Sequence, residues 1–446
     1  MGKTFRAYDM NQQLLLPPDL RQWLRDDHLA LYVSDVVEAL DLSAIIDKYE
    51  ESDSRGRPPY HPALMVKLLI YGYSTGRMSS RKLEQATYDD IAFRVLTCDQ
   101  HPDHDSIADF RKRHLPELGQ LFVQVLQMCQ RAGLVKLGHV SVDSTKIKAN
   151  ARKADSLRYD KLEAAAQVLE AEVVRLLSEA QRLDDEEDTI YGAGRRGDEL
   201  PAELRRRETR LAKIRELKAQ MEKEAQAAAA QEDKQKERDE PKNYRRRRWT
   251  RNESGAVVPK DNVQRNLVDP DSRLMMDTTT GNYEQAYNPQ IAVDAEAQII
   301  VAARMVQSPN DQEQLIPTVL QVKENLGSLP AVVSADGGYF SSAVITSAVL
   351  QDIDLYVPPN EPAPKTIPLD NSVRARMWQK LMSQQGRQLF NRRKTIVEPV
   401  FAQIKHVRSF RKFMLRGLAQ VEGEWLLMCL THNVLKLFRA RPVSAS

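Results

Sequence analysis

Apolar residues recur at three- and four-residue intervals from the N-terminus to about residue 135, as in Leu64, Leu68 and Tyr71 or Phe122, Leu126 and Cys129. This spacing lines one face of an α-helix and predicts helices near 18–40, 62–73, 79–97 and 105–132. Gly56-Arg57-Pro58-Pro59 and the stretch Cys98–Pro102 punctuate them. The fourth helix is expected to start from a cap on Asp105 or Ser106 and to carry Arg111, Lys112, Arg113 and His114. A short helix entered through a turn and loaded with cations suits DNA contact, here through Arg111, Lys112 and Arg113, or else presents an ordinary exposed basic face.

At Leu137 the period changes to two. Residues 138–145 read as a strand with Val140 and Val142 on one face. Helical periodicity returns from Ser156 to about Glu237. Leu162, Leu169, Leu176 and Leu183 form one stripe; Leu204, Leu211, Ile214, Leu217 and Met221 form another. Between them lie Asp184–Asp188 and Gly192, Gly194 and Gly197, a polar connector, so the two stripes predict an antiparallel helical hairpin. The alanine-rich and then charged run Ala225–Glu240 is expected to fray or to be disordered.

Strand patterns resume at 287–294 and 298–306, a predicted hairpin, and again at 331–336 and 354–357. Helices are expected at 311–326, 341–350, 372–384, 391–410 and 419–440. Without the long helical insert the order is strand, strand, strand, helix, strand, helix, strand, helix. That order predicts an α/β protein with an RNase H-like mixed-sheet catalytic core, an N-terminal all-helical domain and a helical-hairpin insertion. The boundaries expected are 1–136 for the helical DNA-binding module and 137–154 for the first part of the core. The insertion and basic linker occupy 155–266, and the rest of the core with its C-terminal helices 267–446. An exposed connection between the first two strands tolerates such an insertion.

Composition sharpens this picture at two points. Of 446 residues 28% are charged, which the polar insertion accounts for, and the net charge is only +3. The cations are clustered, however: residues 371–446 hold fifteen Lys and Arg against Glu398, Glu422 and Glu424. A second run, Arg245, Arg246, Arg247, Arg248, Trp249, Thr250 and Arg251, suits phosphate contact with base stacking on Trp249, or else is a disordered linker with incidental charge. Cys98, Cys129 and Cys429 lie far apart, against both a disulfide framework and a cysteine zinc site. No segment has the length of a signal peptide core or a membrane span, so a soluble cytoplasmic protein with no membrane partner is expected. The cluster His101–Asp105 lacks metal-ligand helical spacing, and Gly337-Gly338 lacks the context of a phosphate-cradling loop.

Three acids stand in distinctive settings: Asp143 within an apolar strand, Asp336 at a strand end before two glycines, and Glu398 on a helix beside Pro399. Pro399 suits a first helical turn, so that helix is expected to begin close to Glu398. Carboxylates gathered from distant parts of a chain repel one another unless cations lie between them, and such oxygen donors suit Mg²⁺ or Mn²⁺. Two such ions can activate an attacking hydroxyl and stabilise the leaving oxygen of a phosphodiester.

Several blocks resemble bacterial insertion-sequence DDE transposases, in the branch related to insertion sequences five and eleven-eighty-two. They are RPPYHPALMVKLLIYGYSTGRMSSRKLEQ (57–85), SVDSTKIKAN (141–150), VDPDSRLM (268–275), YNPQIAVD (287–294), SADGGYF (334–340) and IVEPVFAQIK (396–405). The resemblance implies that Asp143, Asp336 and Glu398 are catalytic and hold two divalent ions, Mg²⁺ or Mn²⁺. The family signature of tyrosine, two residues, arginine, three residues, glutamate, six residues and lysine assigns Lys405 to the site. Here Lys394 stands at the arginine position and Asn391 at the tyrosine position, flanked by Arg393 and Phe390. Lys394 and Arg393 are therefore expected on DNA. The implied activity is cleavage at element ends and joining of the 3′ ends to target DNA, by a homodimer that needs no small-molecule cofactor. Asp269, Asp271 and Arg273 are expected to fix a loop rather than to react. The competing readings are a non-catalytic DNA-binding protein derived from a transposase and an RNase H-like nuclease without strand transfer.

Overall fold

The computed structural model describes residues 19–50, 58–191, 202–237, 248–277, 281–366 and 370–441. Among these residues seven α-helices lead: α1 (Leu29–Glu38), α2 (Ser43–Glu50), α3 (Pro62–Ser74), α4 (Ser80–Asp89), α5 (Ile91–Leu96), α6 (His104–Arg113) and α7 (Leu115–Arg131). Two expected long helices are broken, each for a local reason. Asp90 ends α4 and its carboxylate accepts from the Ala92 amide, capping α5. Pro116, in the first turn of α7, restarts the chain after α6. The cap of α6 is Asp103, which accepts from the Ser106 amide at 2.7 Å, rather than Asp105 or Ser106. Helix α3 is buried on nearly all sides, from Leu64 to Tyr73. It packs against α1 and against α14 (Leu418–Arg439) at the other end of the chain.

The chain then enters β1 (His139–Ser144) and β2 (Ile147–Lys148). The insertion follows: β3 (Ser156–Arg158), α8 (Tyr159–Tyr191), α9 (Ala202–Glu237), β4 (Trp249–Arg251), β5 (Val257–Pro259) and β6 (Gln264–Asn266). Helices α8 and α9 form the expected hairpin over their own small core of Leu162, Ala166, Leu211, Ile214, Leu217 and Met221. The pairs Glu172–Arg207 and Glu163–Lys218 run in opposite sense along the two helices, fixing them as antiparallel. The run from Ala225 does not fray before Glu237. It continues α9, with Ala225 and Ala229 buried and α9 packed against β5 and β4, where short side chains let the ribbon approach. Residues 238–240 lie outside the described residues.

After β7 (Arg273–Met276) comes the longest strand, β8 (Tyr283–Asp294), then β9 (Ile300–Val306), α10 (Leu315–Leu326) and β10 (Val332–Ser334). The chain closes with α11 (Ser342–Ile345), β11 (Asp354–Tyr356), α12 (Val373–Met382), α13 (Gln384–Ala402) and α14. Among the described residues these strands build a seven-stranded mixed sheet. The second half of β8 runs antiparallel to both β1 and β9, while β1, β10 and β11 are parallel. The first half of β8 pairs with β2 and β7. Asn433 of α14 both donates to and accepts from the backbone of Ile300, covering the start of edge strand β9 as a neighbouring strand would. The N-terminal helices and the sheet share one continuous apolar core.

Helix α13 begins well before Glu398, at Gln384, and Pro399 lies inside it. A proline there removes the amide that would bond the Thr395 carbonyl. Gln298, in the turn between β8 and β9, donates its side-chain amide to that carbonyl at 2.9 Å, so the helix continues. Beyond Ala402 it widens into a π turn, Gln403–Val407, closed by the Arg408 amide on the Gln403 carbonyl.

Candidate active site

Alternate residues of a strand share a face. Ser141 of β1 and Ser334 of β10 are register partners in a parallel pair, so Asp143 and Asp336, two residues further on each, reach facing positions at the C-terminal ends of neighbouring strands. A polar ladder ties the strands together behind the acids. The Ser141 and Ser334 hydroxyls lie 3.1 Å apart, and His139 Nε2 lies 2.8 Å from the Ser334 hydroxyl. Burial, helped by the charge of Arg392, lowers His139 to about 4 and keeps it neutral.

Asp143 is held from two sides. Its Oδ1 accepts from the Ser144 amide, and its Oδ2 accepts from Arg393 Nη1 of α13 at 2.8 Å. Burial pushes the Asp143 carboxyl up to about 6, against the pull of Arg393 and with a further push from Asp336. Asp336 also lies above the ordinary range, through burial first and then the charge of Asp311. Its Oδ1 accepts from the Gly338 amide, and a Cβ at Gly338 would come within 3.1 Å of that oxygen, so glycine keeps the cradle open. Asp311 is itself positioned by Asn288 and Gln290, each donating at 2.8 Å. The buried Tyr339 hydroxyl donates to Gln290, and its proton is held far more tightly than usual by burial and by Asp311, Asp143 and Asp336.

Two of the three expected acids are thus brought together, with Arg393 upon them and Asp311 beside them. Glu398 is exposed on α13, five residues past Arg393. Among the described residues no three acids, histidines or cysteines stand close enough to hold a metal ion. The chemistry of the pair nevertheless fits a hard cation: two mutually repelling, shielded carboxylates whose present counter-charge is an arginine. Lys405 lies in the π turn, with its ammonium donating to the Lys146 carbonyl at 3.2 Å. Burial lowers Lys405, opposed by Asp277 and more weakly by Asp143. Lys394 and Asn391 are exposed on α13.

Arg111 does not belong to a DNA-facing surface. It is buried, with Nη1 donating to the Tyr73 hydroxyl at 3.0 Å and to the Met78 carbonyl at 2.9 Å. The same tyrosine donates to the fully buried Glu424 of α14, whose other oxygen takes the Met414 and Leu415 amides. Arg111 shares the face of Ile107, Phe110 and His114, all buried, whereas Lys112 and Arg113 point to solvent. Arg248 is exposed at the start of β4 and Trp249 is half-buried within it; Arg245, Arg246 and Arg247 lie outside the described residues.

The 269–273 loop fixes structure, as expected. Asp269 accepts from Tyr287 and Asp271 from the Leu418 amide at the start of α14, while Arg273 donates to the Pro270 and Ser272 carbonyls. His101 stacks on Tyr88 and His104 bonds Glu84, so that cluster is structural too. Asp311 and the Arg393 contact were not anticipated from sequence. For Arg393 a signal existed, since it continues the buried stripe of Val397, Val400 and Ile404 at helical spacing.

No helix among the described residues is long and apolar enough to cross a membrane. No curated protein and no solved structure matches the chain. Two family models do match: "Transposase domain (DUF772)" over residues 18–113 and "Transposase DDE domain" over residues 264–434. The second stretch contains Asp336, Glu398 and Lys405. Asp143 precedes it, and the sheet returns Asp143 to it by pairing β1 with β8 and β10. A helical stretch and a carboxylate-bearing stretch, each similar to a transposase domain and packed on one core, support an insertion-sequence transposase of the DDE type.

Proposed function

We propose that this protein cleaves phosphodiester bonds at the ends of an insertion sequence and joins the resulting 3′ ends to target DNA. The observation that carries this reading is the register that sets Asp143 opposite Asp336, with Arg393 bonded to Asp143. The strand order, with β8 antiparallel between β9 and β1 and with β10 and β11 parallel beyond, supports an RNase H-like core. Asp143, Asp336 and Glu398 are the residues we assign to hold divalent ions, Mg²⁺ or Mn²⁺, two to a site. Bound there, such ions supply a nucleophile at neutral pH and charge stabilisation for the leaving oxygen.

The protein's own groups have separate tasks. The Ser141–Ser334 contact and the Gly338 amide fix the spacing and aim of the two aspartates. Asp311 adds negative charge beside Asp336, and that field together with burial keeps the proton on Tyr339. Lys405 is assigned to the scissile phosphate as a point charge, and Lys394, Lys112, Arg113 and Arg248 to flanking phosphates. Two DNA ends must be handled together, so we assign the working unit as a homodimer in the cytoplasm. The test is an end-labelled duplex carrying the element's own termini, incubated with a plasmid target and Mg²⁺ or a chelator. Free 3′-hydroxyls and joined plasmid products are expected only with Mg²⁺. Nicking without joining would favour a nuclease.

A further inference from the structure

Residues 405–416 follow α13 and hold Lys405, His406, Arg408, Arg411, Lys412 and Arg416 with no acid among them; Arg408 is buried. Their backbone is laid along β2. The Lys148 amide donates to the Arg411 carbonyl, and the Phe413 amide donates to the Lys148 carbonyl at 2.9 Å. Further along, Asn150 donates to the Met414 carbonyl and Arg416 Nε donates to the Asn150 carbonyl, both at 2.9 Å. Phe410 and Phe413 are buried and anchor the segment, while Arg411, Lys412, Arg416 and Lys148 are exposed. The near end is closed by Lys405 on the Lys146 carbonyl, three residues past Asp143. Two acids face this row: Glu284, which pairs with Lys148 at 3.1 Å, and Asp277, whose charge acts on Lys405.

We infer that this row is a phosphate-binding rim that holds the sugar-phosphate backbone of duplex DNA beside the Asp143–Asp336 pair; the inference rests on the function proposed above. Cations on a backbone pinned at several points lose little further freedom when they meet a polyanion, and each phosphate met releases counterions. Arginine at two of the positions also suits two-point contact with phosphate oxygens.

The test is the salt dependence of duplex binding by an Arg411→Ala/Lys412→Ala/Arg416→Ala variant. Each lost phosphate contact should flatten the slope of log K against log salt by about 0.9, so a fall of roughly 2–3 is expected. Arg131→Ala/Lys136→Ala/Lys323→Ala removes the same charge from exposed positions near the opposite end of the sheet and should leave the slope unchanged. Because Arg411 and Arg416 also bond the backbone, Lys412→Glu alone should flatten the slope by about 1 with an unchanged melting curve. An unchanged slope in both rim variants, or an equal fall in the control, overturns the rim. Absence of end cleavage by the wild-type protein, with the rim effect intact, would instead count against the transposase reading.

Discussion

Arg393 Nη1 donates to Asp143 Oδ2 across 2.8 Å, joining α13 to β1 over 250 positions of sequence. The two side chains are only 12% and 16% exposed, so removing one partner costs more than it would at a surface ion pair. Arg393→Ala leaves a shielded carboxylate without its cation and should cost on the order of 3 kcal/mol at neutral pH. Arg393 also holds Asp143 down, so its removal raises that carboxyl further and the cost should shrink once Asp143 is protonated. Urea unfolding at pH 7.5 and pH 5 checks this; equal costs at both would contradict it.

Asp143 itself ties stability to pH. Its folded value, about 6, lies above the ordinary 3.8, so the folded state holds the proton more tightly. The associated stability is complete below about pH 4 and is lost as pH rises through about 6, in total roughly 3 kcal/mol. In metal-free buffer Asp143→Asn should lack this decline and gain on the wild type between pH 4 and pH 7. Parallel stability curves for the two proteins would remove Asp143 as its source.

The buried trio Arg111, Tyr73 and Glu424 links the N-terminal helices to α14. Arg111→Met should lower stability by about 3 kcal/mol, because Glu424 is left buried without its counter-charge. Lys112→Ala and Arg113→Ala, at exposed positions, should each stay within about 0.5 kcal/mol. Thermal melting of the three variants separates a structural arginine from its surface neighbours. Comparable losses in all three would contradict the assignment.

Gln298 and Pro399 form a compensating pair. Gln298→Ala strips the Thr395 carbonyl of its donor at an exposed position and should cost about 0.5–1.5 kcal/mol. With Pro399→Ala in place the helix can satisfy that carbonyl itself, so the cost of Gln298→Ala should fall. A double-mutant cycle measures the difference, and strict additivity would show that the two are uncoupled.

Much of this architecture could be read along the chain because the patterns were strong and local. Val140 and Val142 alternate with His139, Ser141 and Asp143, and the leucine stripes at 162 and 211 mark the hairpin insertion. What escaped was decided by tertiary contact. A basic run on α6 looks solvent-facing in composition, yet Arg111 falls on the spacing of Ile107, Phe110 and His114 and is carried into the core. Pro399 resembles a helix start until Gln298, about a hundred positions earlier, supplies what the proline lacks. The ribbons β3–β6 and β4–β5 have three residues a strand, too few for a period to show. Asp311 stands at the start of the helix expected over 311–326, which begins instead at Leu315, and its place beside Asp336 depends on Asn288 and Gln290 in another strand.

The most direct measurement is cleavage of a labelled duplex bearing the element's ends in Mg²⁺, comparing wild type with Asp143→Asn, Asp336→Asn and Glu398→Gln, each also assayed for binding. Loss of cleavage to background in all three, with binding retained, is the expected result. Undiminished cleavage by Asp143→Asn or Asp336→Asn would contradict the claim that these facing aspartates are the reactive centre.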